Sequence, residues 1–301
     1  MSQNLYLNRI NTFAEFQNKM KAFEEHIEMM VGEKDKPCPL HLIIVPGERG
    51  VGKPLTVRKM EKKFSDIRDF AFVKGRCTAI SLYKTMYENP NAIIVLDDSD
   101  DLFKDKGPAS SLLKSACDSY TDRVINWMTN SADIVNVTRY HLKNNDEIDR
   151  KLAELAAMKE NKRLRAKWES GNLYPNEFHF FGGIIILSNK TLETIDRVTD
   201  GALSNRGWHM EICMSIDGVI DLFKNSVDSV KTFNETIPLK RECVQKAVEF
   251  MSRPDVKVFL EENQLLPTFR NLEKISFEIQ NGVEPSFDML VSNTEHGANY
   301  Y

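Results

Sequence analysis

Residues 40–58 read LHLIIVPGERGVGKPLTVR, and this stretch decides the fold. An apolar run from Leu40 to Val45 leads into a loop with glycines at 47, 50 and 52, and a helix starts at Pro54. In a strand, loop and helix laid out this way, backbone N–H groups wrap a phosphate chain and the helix N-terminus adds partial positive charge. Lys53 stands where an ammonium reaches the β and γ phosphates. Gly47, Glu48, Arg49, Gly50, Val51, Gly52 and Lys53 fit the phosphate-loop pattern, which then expects Ser or Thr and meets Pro54 instead. With Pro54 and Leu55 they form the candidate nucleotide cradle. An ordinary tight turn uses the same glycines, so the rest of the chain has to supply the other parts of a nucleotide site.

At 301 residues the chain can bury a core and carry one large domain with a smaller companion. A net charge of -4 gives no global sign of nucleic-acid or membrane binding, so any such surface must be local. The cysteines Cys38, Cys77, Cys117, Cys213 and Cys243 are scattered, without a C-x-x-C or a His at metal spacing, and read as free thiols in a reducing compartment. The opening MSQNLYLNRI has no apolar signal core, and no run approaches the roughly 20 apolar residues of a membrane span. The expectation is a soluble, cytoplasmic protein without membrane contact.

Phe13, Phe16, Met20, Phe23, Ile27 and Met30 recur every three or four positions, which predicts a packing helix over 12–31. A polar stretch with two prolines ends it before the phosphate-loop strand. A short strand over 69–74 and a helix over 79–87 follow. Ala92 to Leu96 is a continuous apolar run of the kind buried on both faces in parallel sheets, and it ends in Asp97 and Asp98. Carboxylates at the C-terminal end of such a strand lie where ligands bind. Asp97 is the candidate for holding Mg²⁺ through its waters, and Asp98 the candidate base that polarises the attacking water. An EF-hand reading of this acid cluster fails, because Leu102 and Phe103 occupy the places of the fifth-position ligand and the sixth-position glycine. Asp100 and Asp101 read as caps of the next helix. A third apolar strand, Gly182 to Leu187, is tipped by Ser188 and Asn189, and an amide there can orient water or touch the γ phosphate.

The order of phosphate loop (47–54), acidic strand (92–98), Asn-tipped strand (182–189) and ALSNR (202–206) before a helical tail resembles the AAA+ ATPase family over residues 35–282. VLDDSD (95–100), LLKSACDS (112–119) and FHFFGGIIILSN (178–189) resemble small AAA ATPases of tailed phages most closely. The resemblance implies a P-loop α/β fold, a three-layer αβα parallel sheet with a small all-helical C-terminal lid, binding ATP and Mg²⁺. Arg206 matches the arginine finger that acts on a neighbour's ATP, just before a fifth strand over 209–214. Arg270, in LPTFRNLEK (266–274), matches the sensor arginine at the start of a lid helix. A surface salt bridge is the plain alternative for either arginine. The implied assembly is a homo-oligomeric ring, hexameric or pentameric, coupling nucleotide state to remodelling of DNA or a protein partner in phage DNA metabolism, in the host cytoplasm if the chain is viral. Two alternatives stay open: a nucleotide-binding, clamp-like assembly protein and a structural ring subunit, both with little ATP turnover.

The expected organisation is an N-terminal helical segment (1–34), an α/β domain (35–215) with a charged helical insertion (129–177), a helical lid (216–281) and a flexible tail (282–301). Within the insertion, residues 144–171 read as one exposed helix projecting from the core, its apolar stripe broken. Lys159, Lys162, Arg163, Arg165 and Lys167 on it form a candidate DNA contact, against the plainer reading of a solvated charged helix. The lid is read as helices over 216–230, 239–251, 256–263 and 269–280, punctuated by Pro238, Pro254 and Pro267.

Pro54 carries a consequence for turnover. Its fixed φ suits a helix start, but it removes a hydroxyl that would bind Mg²⁺ and an N–H that would bind phosphate. Thr56 is two residues on, about 200° around a helix, and points away. Nucleotide binding should therefore survive with slow hydrolysis and a high magnesium requirement, and Pro54→Thr should raise kcat. A parent rate of about 1–100 s⁻¹, as in phosphoryl-transfer kinases, with no gain from Pro54→Thr in a phosphate-release assay, would show the hydroxyl to be dispensable.

Overall fold

A computed structural model describes residues 9–104, 107–128, 131 and 133–291. Contacts divide the chain into a sheet unit, Glu24–Pro46 with Pro54–Glu211, and a helical unit, Met1–Phe23 with Gly47–Lys53 and Ile212–Tyr301. The first helix, α1 (Phe13–Val31), contributes its later turns to the sheet unit.

The sheet unit lays down β1 (Leu42–Pro46), α2 (Lys53–Phe64), β2 (Phe70–Lys74), α3 (Ala79–Glu88) and β3 (Ile93–Asp97). After a 3₁₀ turn, Asp100–Phe103, come α4 (Pro108–Ala116), β4 (Arg123–Asn126), β5 (Ile134–Val135), α5 (Asn145–Ala157), α6 (Lys162–Glu169), β6 (Tyr174–Pro175) and β7 (Glu177–Phe180). It closes with β8 (Gly183–Ser188), α7 (Leu192–Thr199) and β9 (Trp208–His209). Five strands form one sheet in the order β2-β3-β8-β1-β9, every pair parallel.

All residues of β1, β3 and β8 are buried. Each fully buried Ile, Leu or Val contributes about 1.5–3 kcal/mol relative to exposure, so these strands are stable only with both faces covered. Leu42, Ile44, Ile94, Leu96, Ile184 and Ile186 face α3, α4 and α7 through Leu82, Tyr83, Met86, Leu113 and Ile195. On the other face Arg58 of α2 lies over the Phe72 ring, and Met30 of α1 sits against Gly183. The result is a parallel α/β sheet between two helical layers.

Between β3 and β8 the chain adds an antiparallel β4–β7 pair and a parallel β5–β6 pair. Buried Arg123 ties β4 to the core by donating to the carbonyls of Ala116 and Gly182, both at 2.6 Å. The single projecting helix expected over 144–171 is corrected to two helices. The first, α5, buries Ile148, Leu152, Leu155 and Ala156. Their spacing of four and three is a regular stripe; it reads as broken only when carried past Met158, whose extended backbone (φ -61°, ψ 133°) ends α5 and resets the phase. The second helix, α6, buries nothing.

The helical unit contains α8 (Ile216–Ser226), α9 (Arg241–Met251), α10 (Pro254–Glu262), α11 (Phe269–Gln280) and α12 (Asp288–Val291), with β10 (Thr232–Phe233) and β11 (Ile237–Pro238) between α8 and α9. The helix expected to run to Val230 ends at Ser226 in a 3₁₀ turn, and an antiparallel hairpin follows. Asn234 and Glu235, both at positive φ, turn it. The stretch expected as irregular tail is anchored at Leu290, which is buried and whose carbonyl accepts from Asn271 at 3.3 Å; residues 292–301 lie outside the described part. No described helix is long and apolar enough to cross a membrane.

Arg68, in the sheet unit, joins elements distant in sequence. The residue is 5% exposed, and its guanidinium donates to the carbonyls of Val31, Glu33, Lys36 and Asn91 at 2.7–3.2 Å. It thereby satisfies the end of α1, the turn after it and the approach to β3 together. Arg68→Met keeps most of the volume and strips four carbonyls of their donor, each loss costing about 1–3 kcal/mol when uncompensated. We expect urea unfolding to show a loss of about 3 kcal/mol or more; a loss under about 1 kcal/mol would show that water replaces the guanidinium.

Candidate nucleotide site

The phosphate-loop residues belong to the helical unit. Gly47 has φ 137°, and a Cβ on it would lie 2.2 Å from the Ile212 carbonyl oxygen, so only glycine fits. Gly47 bridges Ile212, the Glu48 N–H donates to the Ile212 carbonyl at 3.2 Å, and the Glu48 carboxylate accepts from the Met214 N–H at 2.6 Å. Segment 212–214 therefore clamps the start of the loop. Gly50 and Gly52 follow at φ 76° and 85°, left-handed conformations of the kind from which anion-binding backbone nests are built. Lys53 is buried, and its ammonium folds back to the Gly47 carbonyl at 2.5 Å. Arg49 and Leu55 are exposed, Val51 is buried, and Pro54 occupies the second position of α2.

Within the same unit the sequence reading missed Thr268. It caps α11 in a reciprocal arrangement with Asn271, and a Cβ on Gly50 would come within 3.1 Å of its Cβ. The N-terminus of α11 thus packs on the loop, and Arg270 is the second residue of that helix, exposed. The Thr-x-x-Asn spacing announces the cap, but nothing in it announces the contact with the loop.

In the sheet unit, register decides the acids. Asp97 is level with Leu187 of β8, and Leu187 with Val45 of β1. Two strand spacings, roughly 10 Å, separate Asp97 from the end of β1. Asp97 is 8% exposed; Asp98 is exposed and left-handed at φ 53°. The Asn189 amide donates to Asp98 Oδ1 at 2.5 Å, so the candidate base and the candidate water-orienting residue are brought together. Asp100 accepts from Ser188 at 2.6 Å, and Asp101 pairs with Lys104 at 2.5 Å in the 3₁₀ turn; both have local structural partners. Among the described residues no group of three or more His, Cys, Asp or Glu side chains could hold a metal. A single carboxylate such as Asp97 is the kind of oxygen donor with which Mg²⁺, keeping most of its waters, is usually held.

Arg206 lies at the opposite edge of the sheet. Ile43 is level with Trp208, which puts Arg206 at the N-terminal end of β1, about five residues or roughly 16 Å of strand from its C-terminal end. It donates to the Ala202 carbonyl at 3.0 Å and stands 3.7 Å from Asp118 Oδ1. Asp118, which follows α4, had no signal in sequence because the two are distant along the chain. Of the basic residues of the insertion, Lys167 pairs with Asp133, while Lys159, Lys162, Arg163 and Arg165 are exposed.

No family model matches the chain. Over 94 residues it is 31% identical to an uncharacterized 36.7 kDa protein of Enterobacteria phage T4 from the nrdC-mobD intergenic region, an overlap of 30% of this chain and 28% of that protein. The chain thus spans well under half of that relative. Among solved structures it is similar to the Aeropyrum pernix ORC2 protein in ADPNP-ADP complexes (TM-score 0.33, 10% identity, 95% of this chain and 68% of that one). It is also similar to CDC6P from Pyrobaculum aerophilum (TM-score 0.31, 12% identity, 93% and 65%). Neither likeness is close enough to carry a function to this chain.

Burial pushes the Glu48 carboxyl above the usual glutamate range, against the pull of the Met214 N–H, Arg9 and Lys53. With the folded value raised, its contribution to stability is complete below the unfolded value and is lost as pH rises through the folded one. Glu48→Gln keeps an acceptor for Met214 and removes that loss. The variant should melt above the parent at neutral pH, with the difference vanishing below the ordinary glutamate range; an equal melting point at neutral pH would mean that Glu48 ionises without cost.

Proposed function

We propose that the chain is an AAA+ type ATPase that binds ATP with Mg²⁺ and works as a ring or part-ring. The observation that carries this reading is the register that sets Asp97, and with it the Asn189–Asp98 pair, on the edge of the sheet where β1 runs into the phosphate loop. In this reading the loop N–H groups and Lys53 hold the phosphates, and Arg270 at the head of α11 meets them from the lid. Mg²⁺, when bound, supplies charge neutralisation between the phosphates, with Asp97 as its carboxylate. Asp98 accepts a proton from the attacking water, and Asn189 orients that water and the Asp98 carboxylate together.

Arg206 stands at the N-terminal end of β1, a strand length from the sheet edge where its own Asp97 and Asp98 stand, so in this reading it acts on a neighbouring copy's phosphates. The basic face of α6 contacts DNA, the polymer whose state the ring alters in phage DNA metabolism inside a host cell; the overlap with a phage T4 protein supports the phage setting alone. A second reading, nucleotide-gated assembly with little turnover, is favoured by one feature: Pro54 supplies no hydroxyl for the metal.

Fluorescent-nucleotide titration with a turnover assay tests both. Lys53→Ala should abolish tight ATP binding. Arg206→Ala should keep binding and lose turnover, and mixing it with Asp98→Asn subunits should recover part of the rate. Undiminished binding by Lys53→Ala would place the phosphate site elsewhere; no recovery in co-assembled mixtures would refute an arginine acting across subunits.

A further inference from the structure

In a chain of net charge -4, the exposed side chains Lys159, Lys162, Arg163 and Arg165 stand within seven positions. Among the described residues no carboxylate lies within ion-pair distance of these four; the pairs of this region use Lys167, Lys151 and Lys84. Helix α6 does not need them for its own sake, since cations in a first turn meet the positive end of the helix dipole. The patch is held in place. Asn161 donates to the Leu155 carbonyl at 3.0 Å, Arg165 to the Ala157 carbonyl at 2.9 Å, and Asp133 joins Lys167 of α6 to Lys84 of α3.

The last turn of α6 presents Trp168, 41% exposed. Arg165 and Trp168 are three residues apart and so are neighbours on one helical face. Phosphates alone would call for cations alone, as would an acidic protein surface. An indole beside them selects among polyanions: it can stack on a base only where the base is free of its own stack, which is the condition of a single strand and not of a duplex.

We infer that α6 binds single-stranded nucleic acid, with Trp168 stacking on one base and Lys162, Arg163 and Arg165 contacting the flanking phosphates. This rests on the reading of the α6 face as the chain's DNA contact and narrows it. No groove readout is involved, so the contact tolerates any sequence, and its affinity falls with salt in proportion to the phosphates neutralised.

The test uses the full chain with labelled oligo(dT) and a duplex of equal length, followed by anisotropy over a range of salt. Oligo(dT) should bind more tightly than duplex. Trp168→Ala should weaken oligo(dT) binding at least about fivefold with an unchanged salt slope, and Trp168→Phe should restore most of it. Lys162→Glu with Arg163→Glu should weaken both ligands and flatten the slope; ATP binding by each variant reports an intact fold. Equal or tighter duplex binding with Trp168→Ala neutral would overturn the stacking inference and leave the DNA contact standing. Absence of binding to either ligand, or binding untouched by charge reversal, would overturn both, and capture of an acidic protein instead would count on that side.

Discussion

Register across β3, β8 and β1 sets Asp97 level with Leu187 and Leu187 level with Val45, and every polar group at that edge inherits its place from this row. A slip of one residue would turn each strand's inward set to the opposite face. Because both faces are packed, a slip gains nothing on one side to offset what it loses on the other. The three turns after β1, β3 and β8 must therefore leave the sheet together, and they are where the glycines, the acids and the amide stand. Apolar packing, not polar attraction, brings Asp98 and Asn189 within hydrogen-bonding distance.

The polar groups are then held at some cost. Glu48 is half-buried, and the desolvation pushes its carboxyl above the usual glutamate range, yet it fixes segment 212–214 to the loop. Asp98 takes a left-handed backbone, which Asp tolerates better than most residues because its side chain bonds locally. One of its oxygens is engaged by Asn189, and its exposure leaves the other to solvent. An acid so placed is fixed in direction and still open to solvent.

The strands were legible because a run buried on both faces has no polar interruption: Leu42–Pro46, Ile93–Asp97 and Gly183–Ser188 each start inside the apolar run that announces them and end one residue beyond it. Helix α11 was legible to the residue, since Pro267 marks where the chain breaks before it. The hairpin at 232–238 was not, because two-residue strands carry too few positions for a period to show. The division between α5 and α6 was hidden because the break at Met158 has no proline or glycine to mark it. Thr268 against Gly50 and Asp118 beside Arg206 are contacts between segments far apart in sequence, and no local pattern encodes such a pair. Arg206 and Arg270 entered the sequence reading only through family resemblance; the fold adds where each stands, one at the far edge of the sheet and one at the head of α11.

The placement of Arg206 also constrains the symmetry of any assembly that uses it. A contact joining its edge on one copy to the C-terminal end of β1 on the next joins two unlike patches; made in one direction only, such a contact is heterologous. A two-fold dimer makes it twice, each copy giving its arginine to the other, and needs the two sheets side by side with their strands antiparallel. The same contact repeated either closes on itself or runs on as a helical filament, according to the rotation between copies. In an arc that has not closed, the completed sites number one fewer than the subunits, with a bare loop at one end and an idle arginine at the other. Nucleotide turned over per subunit then becomes a measure of closure.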